Sequence, residues 1–266
     1  MRPASARRRR ARNTIIIGSI ILLGTVAALL GVGIWKFNRG PGPTALLCPA
    51  KGPKAHIALL VDKTDPLTFT QAKAFAGLLS NFASGRRVKE GELLSVFVLG
   101  EDFRQTPDPI FEKCNPGDGQ GKSILEDTVE LWKKRFKEEY EAPVLQLEDQ
   151  LKALKPSARS PIMEMIQLVS LTFEKHDVQG PRRLIIVSDL LQNTSDLSMY
   201  SGSLDFQAAM KRPALQRLRT RLPGTDVDVF LLLNRPEVQN RSLIKFWQDY
   251  FKDAGAVLQH VEPVPG

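Results

Sequence analysis

Cysteine and histidine are scarce, with two and three residues in a chain of 266. No His/Cys cluster has the spacing of a zinc site. The histidines, His56, His176 and His260, are scattered, and none stands near a serine or cysteine in a nucleophile elbow, so each reads as structural or solvent-facing. Acid is absent from residues 1–40, which hold seven arginines and Lys36. That segment carries the whole formal charge of +8, and residues 41–266 sum to zero. The high pI therefore belongs to the tail, and the composition gives the remainder no nucleic-acid surface. Charge of either sign is missing from residues 13–35.

That uncharged run is mostly Ile, Leu, Val, Ala and Gly. About 20 apolar residues at ~1.5 Å rise cross a ~30 Å hydrocarbon layer. Residues 14–36 thus read as one transmembrane helix, with Trp35 and Phe37 at the interface. Six arginines precede it, and the positive-inside bias puts residues 1–13 in the cytoplasm and the rest beyond an inner (cytoplasmic) membrane, periplasmic or extracellular. The rival reading is a cleaved signal peptide, but the run is long for one and lacks a clear A-x-A site, so an uncleaved signal anchor is expected. Cys48 and Cys114 both follow the span, where an oxidising compartment favours pairing; sequence alone fixes no distance between them. Residues 37–54, rich in Pro and Gly, read as a linker.

A domain is expected over residues 55–263. Largely apolar runs at 57–62, 92–99, 183–189, 227–233 and 256–261 read as strands. Between them, helical spacing covers 66–83, 123–141, 144–154, 161–173, 207–218 and 242–254, while 101–122 reads as a long loop. Strands alternating with helices predict an α/β fold: a doubly wound, mostly parallel sheet with helices on both faces. There is no internal repeat.

The chemistry gathers at the strand ends. The first strand closes on Asp62, followed by Thr64, Asp65 and Pro66; Asp65 and Pro66 read as an N-cap and first helical residue. A later strand closes on Asp189, and Ser160 reads as the cap of the helix before it. In a parallel sheet both carboxylates face one rim, where open α/β folds bind ligands. With hydroxyls from Thr64 and Ser160 they suit a hard cation such as Mg²⁺. The alternative is that Asp62 and Asp189 bond only nearby backbone N–H groups and that Asp65 and Ser160 only cap.

These residues resemble the von Willebrand factor A (integrin I-like) family, whose first strand ends D-x-S-x-S and whose metal-ion-dependent adhesion site adds a loop threonine and a later aspartate. Asp62 and Thr64 match the first two positions, and Pro66 stands where the third has serine. Ser160 stands for the loop threonine, Asp189 in IIVSDL for the later aspartate, and Leu190 for the glycine that usually follows. The resemblance implies a non-enzymatic module that binds a protein partner, with metal held by Asp62, Thr64, Ser160 and Asp189 in a degenerate site.

Other signals fail. GDGQGKS at 117–123 is not a phosphate loop, because Pro116 stands where its first glycine belongs and no buried strand leads into it. The helix around 132–140, with four basic residues, reads as a solvated face or a partner surface. A metal-dependent hydrolase or nucleotide enzyme remains as the alternative function. It needs a base or nucleophile beside the metal, and Asp65 is spoken for as a cap.

Overall fold

The run IALLV has β-branched and leucine side chains on both sides of its backbone, so only a strand covered on both faces buries it. In the computed structural model, which describes residues 24–26, 28–29, 45–99, 108–119, 129–152, 157–176, 178–200 and 204–266, it lies in β1 (His56–Asp62), buried at every residue. β1 pairs in parallel with β2 (Leu93–Leu99) on one side and β4 (Arg182–Ser188) on the other. β5 (Thr225–Leu233) and β6 (Val257–Pro265) extend the parallel run, and β3 (Phe111–Cys114) closes the far edge antiparallel to β2. The order is β3-β2-β1-β4-β5-β6, the expected doubly wound α/β sheet.

Helices cover both faces. α1 (Phe69–Ala83) and α3 (Ala142–Lys152), the latter preceded in the chain by α2 (Val129–Arg135), lie on the side of Ile57, Leu59 and Val61, with Phe75, Phe82, Tyr140 and Val144 in that core. α4 (Ile162–His176), the short α5 (Phe206–Ala209) and α6 (Pro213–Gln216), and α7 (Arg241–Asp253) lie on the side of Ala58 and Leu60, around Ile166, Phe246 and Trp247.

Several boundaries differ from expectation for physical reasons. α1 begins at Phe69, because Thr68 accepts from the Gln71 N–H while the Gln71 side chain accepts from the Thr68 N–H, a reciprocal capping box. Asp65 is therefore not the cap. β3 falls inside the expected loop; its two central residues are polar and half-buried, so it carries no apolar run. Pro143 neither stops nor starts a helix. A π-helical segment (Phe136–Glu141) runs straight into α3, and the Ala142 N–H reaches back to the Lys137 carbonyl, which accommodates a proline lacking its own donor. The expected helix at 207–218 is two single turns.

Cys48 and Cys114 form a disulfide, and Leu47 and Cys48 are buried beside the β2–β3 edge. The chain divides into two units, Met1–Pro43 and Thr44–Gly266, and the second holds the sheet. The expected span at 14–36 lies outside the described residues apart from 24–26 and 28–29, which are helical. Among the described residues no helix is long and apolar enough to cross a membrane.

Candidate functional site at the carboxyl edge of the sheet

β1 and β4 are neighbours, yet the chain leaves them toward opposite faces: β1 toward α1, and β4 toward α5 and α6. Their diverging loops open the crevice at a topological switch point, the usual ligand position in such sheets. The register aligns Val61 with Val187, which places Asp62 opposite Ser188 and Asp189 one step beyond. The two aspartates thus come to one lip, as their strand-end positions suggested.

Asp62 is the acceptor at the centre. One carboxylate oxygen accepts from the Thr64 N–H (3.0 Å) and hydroxyl (2.7 Å), the other from the hydroxyls of Ser188 (2.7 Å) and Ser160 (3.3 Å). Ser160 thus lies beside Asp62, but it is not a helix cap: the Met163 N–H in the first turn of α4 is capped by the Gln192 side chain at 2.9 Å. Reciprocal backbone bonds between Ser160 and Asn193, and a bond from Ser157 N–H to the Thr64 carbonyl, tie the three loops together.

Asp189 accepts from the Leu191 N–H at 2.9 Å, and the Gln239 amide bridges the Asp189 and Leu232 carbonyls. Burial first, then repulsion from Asp62, push the Asp189 carboxyl up to about 8. Burial also raises Asp62, opposed by the hydrogen bonds from Thr64, Ser188 and Ser160. Burial and mutual repulsion thus both work against full ionisation of the pair, and a cation between them would relieve both.

Leu190 takes φ 60°, the left-handed region that favours glycine, at the position where the family pattern has glycine. The departure is thus in the side chain and not in the backbone. Its conformation is held because Leu190 is fully buried and the Trp247 indole N–H donates to its carbonyl at 2.9 Å.

Sequence reading missed Ser188, Asp65, Tyr200 and Arg235. Asp65, released from capping, lies near enough to Asp189 to help raise its carboxyl. Tyr200 is raised to about 12 by burial and by Asp189 and Asp65, with Arg235 opposing, so both belong to the electrostatic surroundings of this lip. Their only sequence signal is position: Ser188 ends a strand, and the other three lie in segments that leave the carboxyl end of one. Lys63, between Asp62 and Thr64, is nearly buried, and desolvation lowers its ammonium.

The donor set fits a hard divalent cation: carboxylates and hydroxyls only, with an excess of negative charge. Among the described residues no three His, Cys, Asp or Glu side chains are grouped as a metal shell, so Asp62 and Asp189 would need the hydroxyls of Thr64 and Ser160, and water, to complete one.

No family model matches the chain, and no curated protein matches it. Similar solved structures include an aerotolerance-related membrane protein from Bacteroides fragilis NCTC 9343 bearing multiple mutations to serine, at 13% identity over 78% of this chain and 90% of that one, with a TM-score of 0.37. The conserved hypothetical protein BatB from Bacteroides thetaiotaomicron is 14% identical over 81% of this chain and 91% of its own, with a TM-score of 0.33. A human COPII-coat protein is 11% identical over 81% of this chain but only 30% of its own, with a TM-score of 0.40.

Proposed function

We propose that residues 55–263 are a protein-binding module, tethered through residues 14–36 to the far side of a cytoplasmic membrane, and that it meets a protein partner at the Asp62–Asp189 lip with Mg²⁺ bound there. The observation that supports this reading is the meeting of two buried carboxylates at the switch point, with Asp189 pushed up to about 8. A divalent ion there would offset the repulsion and offer an open coordination position to an acidic side chain of the partner. Asp62, Thr64, Ser160 and Asp189 would hold it, and Ser188 would orient Asp62.

The test is thermal unfolding of the full chain in detergent against Mg²⁺. Saturation a hundredfold above Kd adds about 2.7 kcal/mol, several degrees in Tm for a domain of this size. Asp62→Ala should abolish the shift. No shift at millimolar Mg²⁺, or an equal shift in the variant, refutes the metal. Capture of a partner from the native envelope extract, with and without chelator, tests the binding role.

One observation favours a second reading, a metal-dependent hydrolase or nucleotide enzyme. Asp65 is not a helix cap and stands beside Asp189, where a general base would be needed. Mg²⁺-dependent hydrolysis of a nucleotide by the full chain, lost in Asp65→Asn, would establish it.

A further inference from the structure

Residues 206–225 contain Lys211, Arg212, Arg217, Arg219 and Arg221 and no acid. The end of this segment alternates in burial. Thr220 and Leu222 are buried and Leu218 is half-buried, whereas Arg217, Arg219 and Arg221 are exposed. The inward side is pinned: the Gln167 amide donates to the carbonyls of Arg217 (2.7 Å) and Arg219 (3.1 Å), and the Thr220 hydroxyl donates to Ser170 at 2.8 Å. Three guanidinium groups are thus held on one outward side of a fixed backbone. Arg219 pairs with Asp253 at 3.5 Å, and Arg217 and Arg221 have no acidic partner among the described residues. Leu171, more than half exposed, lies beside them.

The position of this comb matters. His56, Arg182 and Thr225 align across β1, β4 and β5, so these strands start in one row. The chain enters β1 from the expected linker at that edge, and the arginines immediately precede Thr225. The Asp62–Asp189 lip is at the opposite edge of the same sheet.

We propose that the comb at 217–221 docks on the anionic phospholipid headgroups of the membrane to which the chain is tethered, so that the carboxyl lip points away from the bilayer. This rests on the reading of residues 14–36 as an anchor. Charge complementarity selects an anionic occupant, and the tether supplies a high local concentration of lipid surface. The surroundings favour a planar occupant. The cleft of about 630 Å³ between this segment and α4 is also lined by Glu164, Glu174 and Asp196, which would repel an acidic peptide seated inside it. A flat surface need not enter the cleft and can meet the exposed guanidiniums and Leu171 from outside it.

The test uses the full chain reconstituted in vesicles, with a donor dye on Q216C, whose thiol is the only free one because Cys48 and Cys114 are bonded, and an acceptor on lipid headgroups. Energy transfer should rise when phosphatidylglycerol replaces part of neutral phosphatidylcholine, and should fall in 1 M NaCl, where the Debye length is about 3 Å. Removing the three charges (R217Q, R219Q and R221Q) should cut the docked population on the order of 100-fold, at about fivefold per basic side chain. Removing three charges elsewhere (K133Q, K134Q and K137Q) should change it little. Transfer independent of lipid charge in a chain that resists carbonate extraction overturns the docking and leaves the anchor standing. A chain that carbonate removes fails the anchor reading, and the docking with it. If the arginine variant keeps its lipid transfer but loses capture by polyglutamate resin, the segment serves an acidic protein and the lipid proposal is overturned.

Discussion

β1 carries a buried polar side chain at each end, His56 and Asp62, both on the α4 face, and the two ends are wired differently. At the start of the strand, His56 Nε2 lies 2.8 Å from the Ser95 hydroxyl, which donates to Glu112 at 3.0 Å, and His176 meets the same Glu112 oxygen at 2.9 Å. With His56 protonated on Nε2 every hydrogen in this chain has an acceptor, and one carboxylate serves two donors. Its loose end is a neutral lone pair on His56 Nδ1. At the carboxyl end the hydroxyls converge on Asp62, but Asp189 adds a second buried acid whose shift is dominated by burial and repulsion from Asp62. A closed network reads as structure, and a frustrated one as a place kept for something else.

The largest expected effect breaks the closed end. Ser95→Ala removes the link between His56 and Glu112 and leaves a buried N–H unpaired, at a loss of about 2–3 kcal/mol. Urea unfolding of the full chain in detergent measures it; a loss below about 0.5 kcal/mol would mean the chain contributes nothing specific.

The lip should behave in the opposite sense. Asp189→Asn removes a carboxyl that folding disfavours in its charged form, so at pH 8 without Mg²⁺ it should stabilise by about 1–2 kcal/mol. The sign follows from the shift. Asp189 is raised from 3.8 to about 8, the native state binds the extra proton in that window, and stability falls as pH rises through it. His56 is held down to about 3 by burial, His176 and Arg182, so the unfolded state binds the extra proton and stability falls as pH drops below 6.5. Between pH 8 and 6.5 only the lip acts, giving a gain of about 2 kcal/mol at most on acidification; below 6.5 the two oppose. The expected pattern is a stability that rises from pH 8 to 6.5 and then levels off; Asp189→Asn should lose the rise and expose a fall below 6.5, whereas His56→Gln should keep rising below 6.5. Parallel profiles in wild type and both variants would refute the assignment.

What was legible in the sequence follows the range of the interaction that made it. Apolar runs and helical spacing are local, and they yielded the five parallel strands, the winding and both lip aspartates, because an aspartate ending a buried strand marks the rim wherever the strand pairs. The order that makes β1 and β4 neighbours is not local, and neither is the histidine network: His56 and Ser95 are 39 residues apart, and Glu112 and His176 are 64 apart. Three histidines that looked scattered include two whose rings meet edge to face at 5.3 Å. β3 was lost because an edge strand of four residues with Glu112 and Lys113 at its centre needs no apolar run.

The smallest effect separates the capping job that sequence assigned to Asp65 from the place at the lip that the structure gives it. If Thr68 is the cap, Thr68→Ala costs about 1 kcal/mol, and Asp65→Asn leaves stability at pH 5 within about 0.5 kcal/mol. A cap works through the first turn of α1 and is indifferent to Asp189; a lip residue is not. Asp65→Asn should therefore lower the pH at which Asp189 titrates, because the neighbouring carboxylate that helps to keep it protonated is gone. Carbonyl infrared or side-chain NMR titration of Asp189 reads this directly. A Thr68→Ala variant with full stability, or an Asp189 titration unmoved by Asp65→Asn, would return Asp65 to the helix terminus and remove the spare carboxylate from the lip.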